Sequence, residues 1–334
     1  MPQPTVASVH VDAMLSNVTI AEMQSASEFI APQVFPIIDS PKQSDKYYKY
    51  TRADWFREEA QLRAPGAESA GGGYGLSTDS FYCDVYAVHK DIDAQVRANA
   101  DTQIDLDREA AMWVGNQLMM KLESLFVTAY FGTGIWTGAS TGADQTGVSG
   151  APAANQFRQW NDVSSTPVED VSGYVDEMQE KTGKKPNFLV IGPKVATALK
   201  QHPDIIDRIK HVQRGQATLD IIGELMGVRI LEARATRNTA NEGAADAYSF
   251  YFGRNALLLY SEPNPGLLRS SAGYIFGWTG YTGTSGVSGI GSGVRTTRFP
   301  IQEKKVDRVE AEMAVDMKVV APDLGVFMNT AVAA

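Results

Sequence analysis

The chain has 334 residues, 43% hydrophobic and 21% charged, with 30 Lys and Arg against 39 Asp and Glu for a net charge of −9. This describes a folded chain with material for two domains, or for one core with large excursions, and it excludes a disordered protein. It also excludes a generic nucleic-acid binder, which needs clustered Lys and Arg, while no run of about 18 apolar residues offers a membrane span.

The first residues, MPQPTVASVHVD, show no basic region followed by an apolar run, so no signal peptide is read. Residues 1–44 read as an arm. Ile20, Met23, Ala26 and Ile30 suggest a short amphipathic helix over Val18 to Ile30, after which Pro32, Pro36 and Pro41 hold the chain extended and deny it regular pairing. Such a segment has too little core of its own and is expected to lie on something else.

Residues 45–92 read as two strand stems around an excursion. The stems are Lys46 to Thr51 and Phe81 to Val88, rich in aromatic and β-branched residues. Arg52 to Thr78 lies between them, and across residues 45–78 the basic Lys46, Lys49, Arg52, Arg57 and Arg63 are balanced by Asp45, Asp54, Glu58, Glu59 and Glu68. A connection this long without strong periodicity is disordered or functional. Its apolar residues Trp55, Phe56 and Leu62 are the candidate contacts with a neighbouring subunit, because aromatic side chains concentrate in interface cores. Cys83, the lone cysteine, sits in the alternating second stem and reads as a small buried filler; a lone thiol fits a reducing compartment and rules out an internal disulfide framework.

Asp101 to Phe131 reads as one long helix. Leu106, Ala110, Val114, Leu118, Leu122, Leu125 and Ala129 form a stripe at steps of three and four. Asp101 or Thr102 is positioned to cap its start, and Gly132 and Gly134 to stop it. At 1.5 Å per residue it would run roughly 45 Å, so it is either a coiled-coil arm or a backbone for other elements. The stripe drifts and lacks flanking heptad charges, which favours the second.

Gly132 to Pro152 lacks periodicity and reads as a loop. An α/β region follows. Thr166-Pro167-Val168-Glu169 has a capping-box pattern opening a helix that Gly183 ends. Asn187 to Ile191 reads as a buried strand. Helices are expected after Pro193, around Ile205 to Ile209 and around Leu219 to Leu225, with His202-Pro203 as an interruption. Gly227 to Leu231, Tyr248 to Phe252 and Ala256 to Tyr260 read as strands, giving a mixed sheet covered by helices. Gly280 to Gly293 is a Gly/Ser/Thr loop. Val309 to Val319 then alternates apolar and charged residues, broken only by Ala314, and predicts a half-buried strand about 40 Å long packed along the helix.

The catalytic templates fail. Gly183-Lys184 lacks the upstream glycine of a phosphate loop, no G-x-S-x-G elbow is present, and His10, His89, His202 and His211 have no metal-ligand spacing. Asp101, Asp105 and Asp107 lack the glycine and closing glutamate of a calcium loop. No catalytic residue, cofactor site or metal site is read.

The order of parts resembles the major capsid protein of tailed bacteriophages, with its Hong Kong 97-like fold. Tyr47 to Val88 takes the place of that family's extended loop, and Asp101 to Phe131 that of the spine helix of its peripheral domain. Pro186 to Pro193, Ala196-x-x-Leu199 and Gly227 to Glu232 are similar to its axial domain, and Val306 to Met328 to the closing strand and tail. The resemblance implies an α+β fold divided into an N-terminal arm (1–44), extended loop (45–92), peripheral domain (93–155, with the spine at 101–131), axial domain (156–293) and a return to the peripheral domain (294–334). It implies a non-enzymatic protein that self-assembles into hexamers and pentamers of an icosahedral shell around double-stranded DNA, located in the virion and assembled in the host bacterial cytoplasm. A separate scaffolding protein, a portal and a decoration protein are the implied partners. The family's crosslinking residues have no match here. Encapsulin compartments share the fold, and an α/β hydrolase or transferase centred on 160–262, or a β-rich adhesive protein, are the remaining alternatives.

Overall fold

The computed structural model describes residues 28–50, 52–100, 105–137, 144–210, 217–266, 269–282 and 294–333. Most of the expected helix over Val18 to Ile30 and most of the loop over Gly280 to Gly293 lie outside them.

In chain order, the arm contributes a short helix α1 (Ala31–Val34) and strand β1 (Ile37–Ser40). An excursion follows: strand β2 (Ser44–Tyr50), helical turn α2 (Arg52–Trp55) and strand β3 (Leu76–Tyr82). Next come β4 (Asp84–Asp93), α3 (Ala94–Asn99) and the long helix α4 (Leu106–Tyr130). The middle of the chain supplies β5 (Gln145–Val148), β6 (Gln156–Arg158), α5 (Pro167–Thr182), β7 (Phe188–Ile191), α6 (Pro193–Gln201), α7 (Pro203–Ile209) and α8 (Leu219–Met226). After them run β8 (Arg229–Glu232), β9 (Thr236–Asn238), β10 (Tyr248–Phe250), β11 (Ala256–Leu259), β12 (Gly273–Trp278) and α9 (Thr279–Thr282). The chain closes with β13 (Val294–Ile301), β14 (Val306–Val319) and β15 (Gly325–Asn329).

Two sheets organise these elements. In the first, β14 pairs antiparallel with β4 on one side and with β13 and β12 on the other, and β1 adds to β12 in parallel. The second has the order β6-β5-β15-β11-β7-β8. The expectation that the prolines deny the arm any pairing is overturned: Ile37 to Ser40 lie between Pro36 and Pro41, so their N–H groups remain free to join a ladder. The loop expected over Gly132 to Pro152 likewise contains β5, whose four residues are too short a run for alternation to reveal.

The second stem is also corrected. The partner of β2 is Leu76–Tyr82, and the chain leaves that hairpin at Cys83 to enter the first sheet as β4. Cys83 N–H donates to Gln43 O at 2.9 Å at this junction, and its buried thiol lies 3.6 Å from Phe276 O. Burial, followed by the neighbouring Asp316 charge, pushes the thiol up to about 12, so it stays protonated filler.

The 25-residue helix α4 is about 37 Å long, and the 14-residue β14 about 46 Å. They pack together as expected. Ala110, Val114, Leu118 and Leu122 share one core with Val309, Ala311, Met313 and Val315. The N-cap is Asp105, whose carboxylate accepts from Arg108 N–H at 3.1 Å; the candidate caps Asp101 and Thr102 lie outside the described residues. The helix ends on Phe131, before the glycines expected to stop it. Its stripe differs from the predicted one in the last two turns: it runs 110, 114, 118, 122, 126, 130, with Leu125 and Ala129 only partly buried. A step of four advances about 40° beyond one turn, so over five steps the buried line winds about 200° around the axis. One end of α4 therefore faces the first sheet, while the other is wrapped by Phe35, Trp136 and Phe252.

The second sheet is buried on both faces. Val190, Leu257, Leu259 and Phe327 face the core shared with α4, whereas Leu189, Ile191, Ala256, Leu258, Val326 and Met328 face a second core under α5 to α8. On α5 the predicted left-handed stop is present at Gly183 (φ 67°), but Thr166 makes no side-chain cap and Pro167 alone opens the helix.

Candidate assembly surfaces

The hairpin β2–β3 is the part of the molecule least served by either core. Its firmest anchors among the described residues lie at its base. Phe81 stacks on Phe276 with ring centroids 4.2 Å apart, Tyr47 stacks on the same ring at 5.6 Å, and Tyr82 N–H donates to Asp316 at 2.9 Å. Burial, then the nearby Asp79 carboxylate, raises the Tyr47 hydroxyl well above its ordinary range, and the hydroxyl donates to Asp79 at 3.2 Å. Lys49 holds the same Asp79 at 2.7 Å and lowers its pKa.

Beyond this base the hairpin and its loop present Tyr48, Trp55, Phe56, Leu62, Tyr74, Leu76 and Tyr82 to solvent. Such a concentration of exposed apolar side chains on one projection marks an interaction surface. The three residues singled out from the sequence do not form one cluster. Trp55, 52% exposed, packs on Tyr74 with ring centroids 5.2 Å apart. Phe56 leans over Gly183 at the end of α5, where an added Cβ would lie 3.2 Å from its ring. Leu62 is fully exposed and touches neither. Between the folded-over hairpin and the body runs a groove of about 1030 Å³, with Tyr47, Trp55 and Phe56 on one wall and Tyr274, Phe276 and Pro322 on the other. The ion pairs of the loop, Arg57 with Asp54 and Glu59, are solvated and contribute little to holding it.

The outer edges of β1, β4 and β13 face no further strand among the described residues, leaving three backbone edges on the first sheet. At the far end of that sheet, Arg97, Asp107, Arg298 and Asp307 form one ion network, with contacts of 2.8 to 3.1 Å tying α3, α4, β13 and β14 together.

In the α/β region one serine and one histidine meet. Ser165 Oγ lies 2.9 Å from His202 Nε2, both residues being buried. His202 Nδ1 accepts from Asp204 N–H at 3.2 Å, which places the proton on Nε2 facing Asp162 O at 3.0 Å. An imidazole so protonated is a helix cap and not a base for Ser165. Among the described residues no group of three or more His, Cys, Asp or Glu is arranged to hold a metal, and no helix is long and apolar enough to cross a membrane. Sequence reasoning missed Glu123, a carboxylate buried in the apolar side of α4 that seats the arm. A lone acidic residue beside Leu122 gives no periodic signal that would distinguish it from a solvated one.

No family model matches the chain. It is 25% identical over 335 residues, 97% of this chain and 98% of the relative, to the major capsid protein of Pseudomonas phage JBD67. It is 21% identical over 252 residues, 75% of this chain and 76% of the relative, to the major capsid protein of Burkholderia phage BcepMu. Among solved structures, a phage-related protein from Bordetella bronchiseptica aligns with a TM-score of 0.65 at 19% identity, covering 96% of this chain and 97% of that one. The mature capsid of bacteriophage PhiM1 aligns at 0.59 and 12% identity, over 96% and 92% of the two chains. The SrpI encapsulin of Synechococcus elongatus aligns at 0.56 and 14% identity, over 99% and 96%. The α+β architecture is the Hong Kong 97-like fold that the order of parts in the sequence predicts.

Proposed function

We propose that this chain is the major capsid protein of a tailed phage, a subunit that builds a closed shell from copies of itself. The observation that carries the reading is the likeness to a phage major capsid protein along 97% of the chain. The physical arrangement supports it. A hairpin that exposes several aromatic rings gains stability when a neighbouring copy covers it, and repeated symmetric contacts of that kind close a shell. Trp55, Phe56 and Leu62 are the proposed contacts.

The finer assignments belong to the same proposal. The shell is built of hexamers and pentamers with icosahedral symmetry, encloses double-stranded DNA without sequence-specific binding, and assembles in the host bacterial cytoplasm with a separate scaffolding protein, a portal and a decoration protein. The arm (1–44), extended loop (45–92), peripheral (93–155 and 294–334) and axial (156–293) parts are its functional divisions. A second reading, an encapsulin-type compartment carrying protein cargo, draws on the alignment with the SrpI shell. Sequence likeness runs to phage capsids and favours the first.

Purified protein analysed by light scattering and negative-stain microscopy tests the proposal. Megadalton shells are expected, alone or with co-expressed scaffold. A 36.2 kDa monomer under every condition sinks it, and shells filled with enzyme in place of DNA in infected cells favour the second reading.

A further inference from the structure

Glu123 lies on α4 with 0% exposure. Three elements meet around it. The helix brings Met119 one turn before it; the arm brings Phe29, Ile30 and Ala31; and the segment around β9 and β10 brings Ala235 and Tyr251, which pack with Phe29 and Met119. Both carboxylate oxygens are engaged by the arm. Ile30 N–H donates to Oε1 at 3.2 Å and Ala31 N–H to Oε2 at 3.1 Å, across 93 and 92 residues of chain. These are orphan donors at the start of α1, where Ile30 has no side-chain oxygen to offer. A carboxylate from the spine helix does the capping instead.

The charged and titratable groups that these elements bring to the neighbourhood are Lys121, Glu28, Arg234, Arg237 and Tyr251. Lys121 lies over the Tyr86 ring, Arg234 pairs with Glu232, and Arg237 lies over the Tyr251 ring. Among the described residues none of these cations pairs with Glu123. A buried carboxylate with no counter-charge is expensive to ionise, because two backbone N–H groups replace only part of its hydration. Burial pushes it up to about 7, against the pull of those two hydrogen bonds.

We infer that Glu123 is a proton-linked latch: docking the arm segment Phe29 to Phe35 onto α4 takes up a proton at Glu123, and loss of that proton weakens the docking. The direction follows from linkage. With the arm docked, the carboxyl keeps its proton up to about pH 7; freed to water, it loses it near 4.5. The undocked form therefore gains as pH rises between those values. Docking is tightest below pH 4.5, weakens roughly tenfold per pH unit across the window, on the order of a hundredfold in all, and levels off above 7. The arm and helix alone carry this inference, which holds whether or not the chain builds shells.

Hydrogen exchange of the peptide spanning residues 28–36, corrected for intrinsic rates and followed by mass spectrometry from pH 4.5 to 8 in the purified chain, tests it. Protection in the wild type is expected to fall on the order of a hundredfold up to pH 7 and then flatten, whereas Glu123→Gln, which has no proton to lose there, gives a flat profile. A wild-type profile without this fall, or a Glu123→Gln profile that reproduces it, overturns the latch. Infrared difference spectra of wild type against Glu123→Gln read the proton directly: a protonated-carboxyl band that disappears near pH 7 is expected, and one that disappears near 4.5 overturns it. If Glu123→Gln does not fold, the wild-type exchange profile decides by itself.

Discussion

Gly325 opens β15 with extended backbone (φ −143°), a conformation any residue adopts, so its conformation alone does not call for glycine. The constraint is the Trp136 ring, which occupies the space where a Cβ would project. Trp136 cannot move aside: it is 1% exposed, and its indole N–H donates to Tyr130 O at 2.7 Å. Gly325→Ala is therefore expected to destabilise the subunit by about 1–3 kcal/mol through overpacking, read as a lower urea midpoint at unchanged slope. This requirement is not legible in the sequence, because it arises between residues 189 positions apart. Glu123 is hidden for the same reason. Cys83, by contrast, was readable as filler, since alternation around it already places it on a buried face.

At the scale of elements, long periodic stretches were legible and short ones were not. The long helix, the closing strand and their packing against each other follow from steps of three and four in one stretch and alternation in the other. The winding of the helix stripe does not, because choosing 126 and 130 over 125 and 129 depends on which aromatic neighbours surround the second half of α4. Phe126 lies fully buried within 6.1 Å of the Phe35, Phe131 and Phe252 ring centroids and 5.0 Å of Tyr130. Phe126→Ala is expected to cost about 3–5 kcal/mol in urea denaturation, and Leu125→Ala clearly less. Equal costs would restore the stripe predicted from sequence. Among the missed strands, β1 and β5 are only four residues long, while β12 and β13, of six and eight, carry no clean alternation of apolar and polar residues.

For the whole molecule, the sequence implies that something must cover the excursion, and the described residues of the chain do not. Trp55 and Phe56 remain more than half exposed even with the hairpin folded over the body. Replacing both by Ala is expected to leave soluble subunits with unchanged thermal midpoints while abolishing or deforming shells in negative-stain images. Normal particles from that variant would remove these two side chains from the contact. The identity of the surfaces they meet is not legible in one chain, since it is fixed by geometry between copies.

The placing of the last two strands has a consequence for how the molecule comes into being. β14 is the central strand of the first sheet, and β15 lies inside the second, between β5 and β11. Both leave the ribosome after every element they pair with. Until residues 306–329 emerge, neither sheet has its middle, and the long helix lacks the central strand it packs along. Completion of both sheets thus waits for residues 306–329, with long-range pairing as the last and slowest event. Prematurely terminated products lack both central strands and have no finished surface to present. A chain that stops before β14 therefore carries two unfinished sheets.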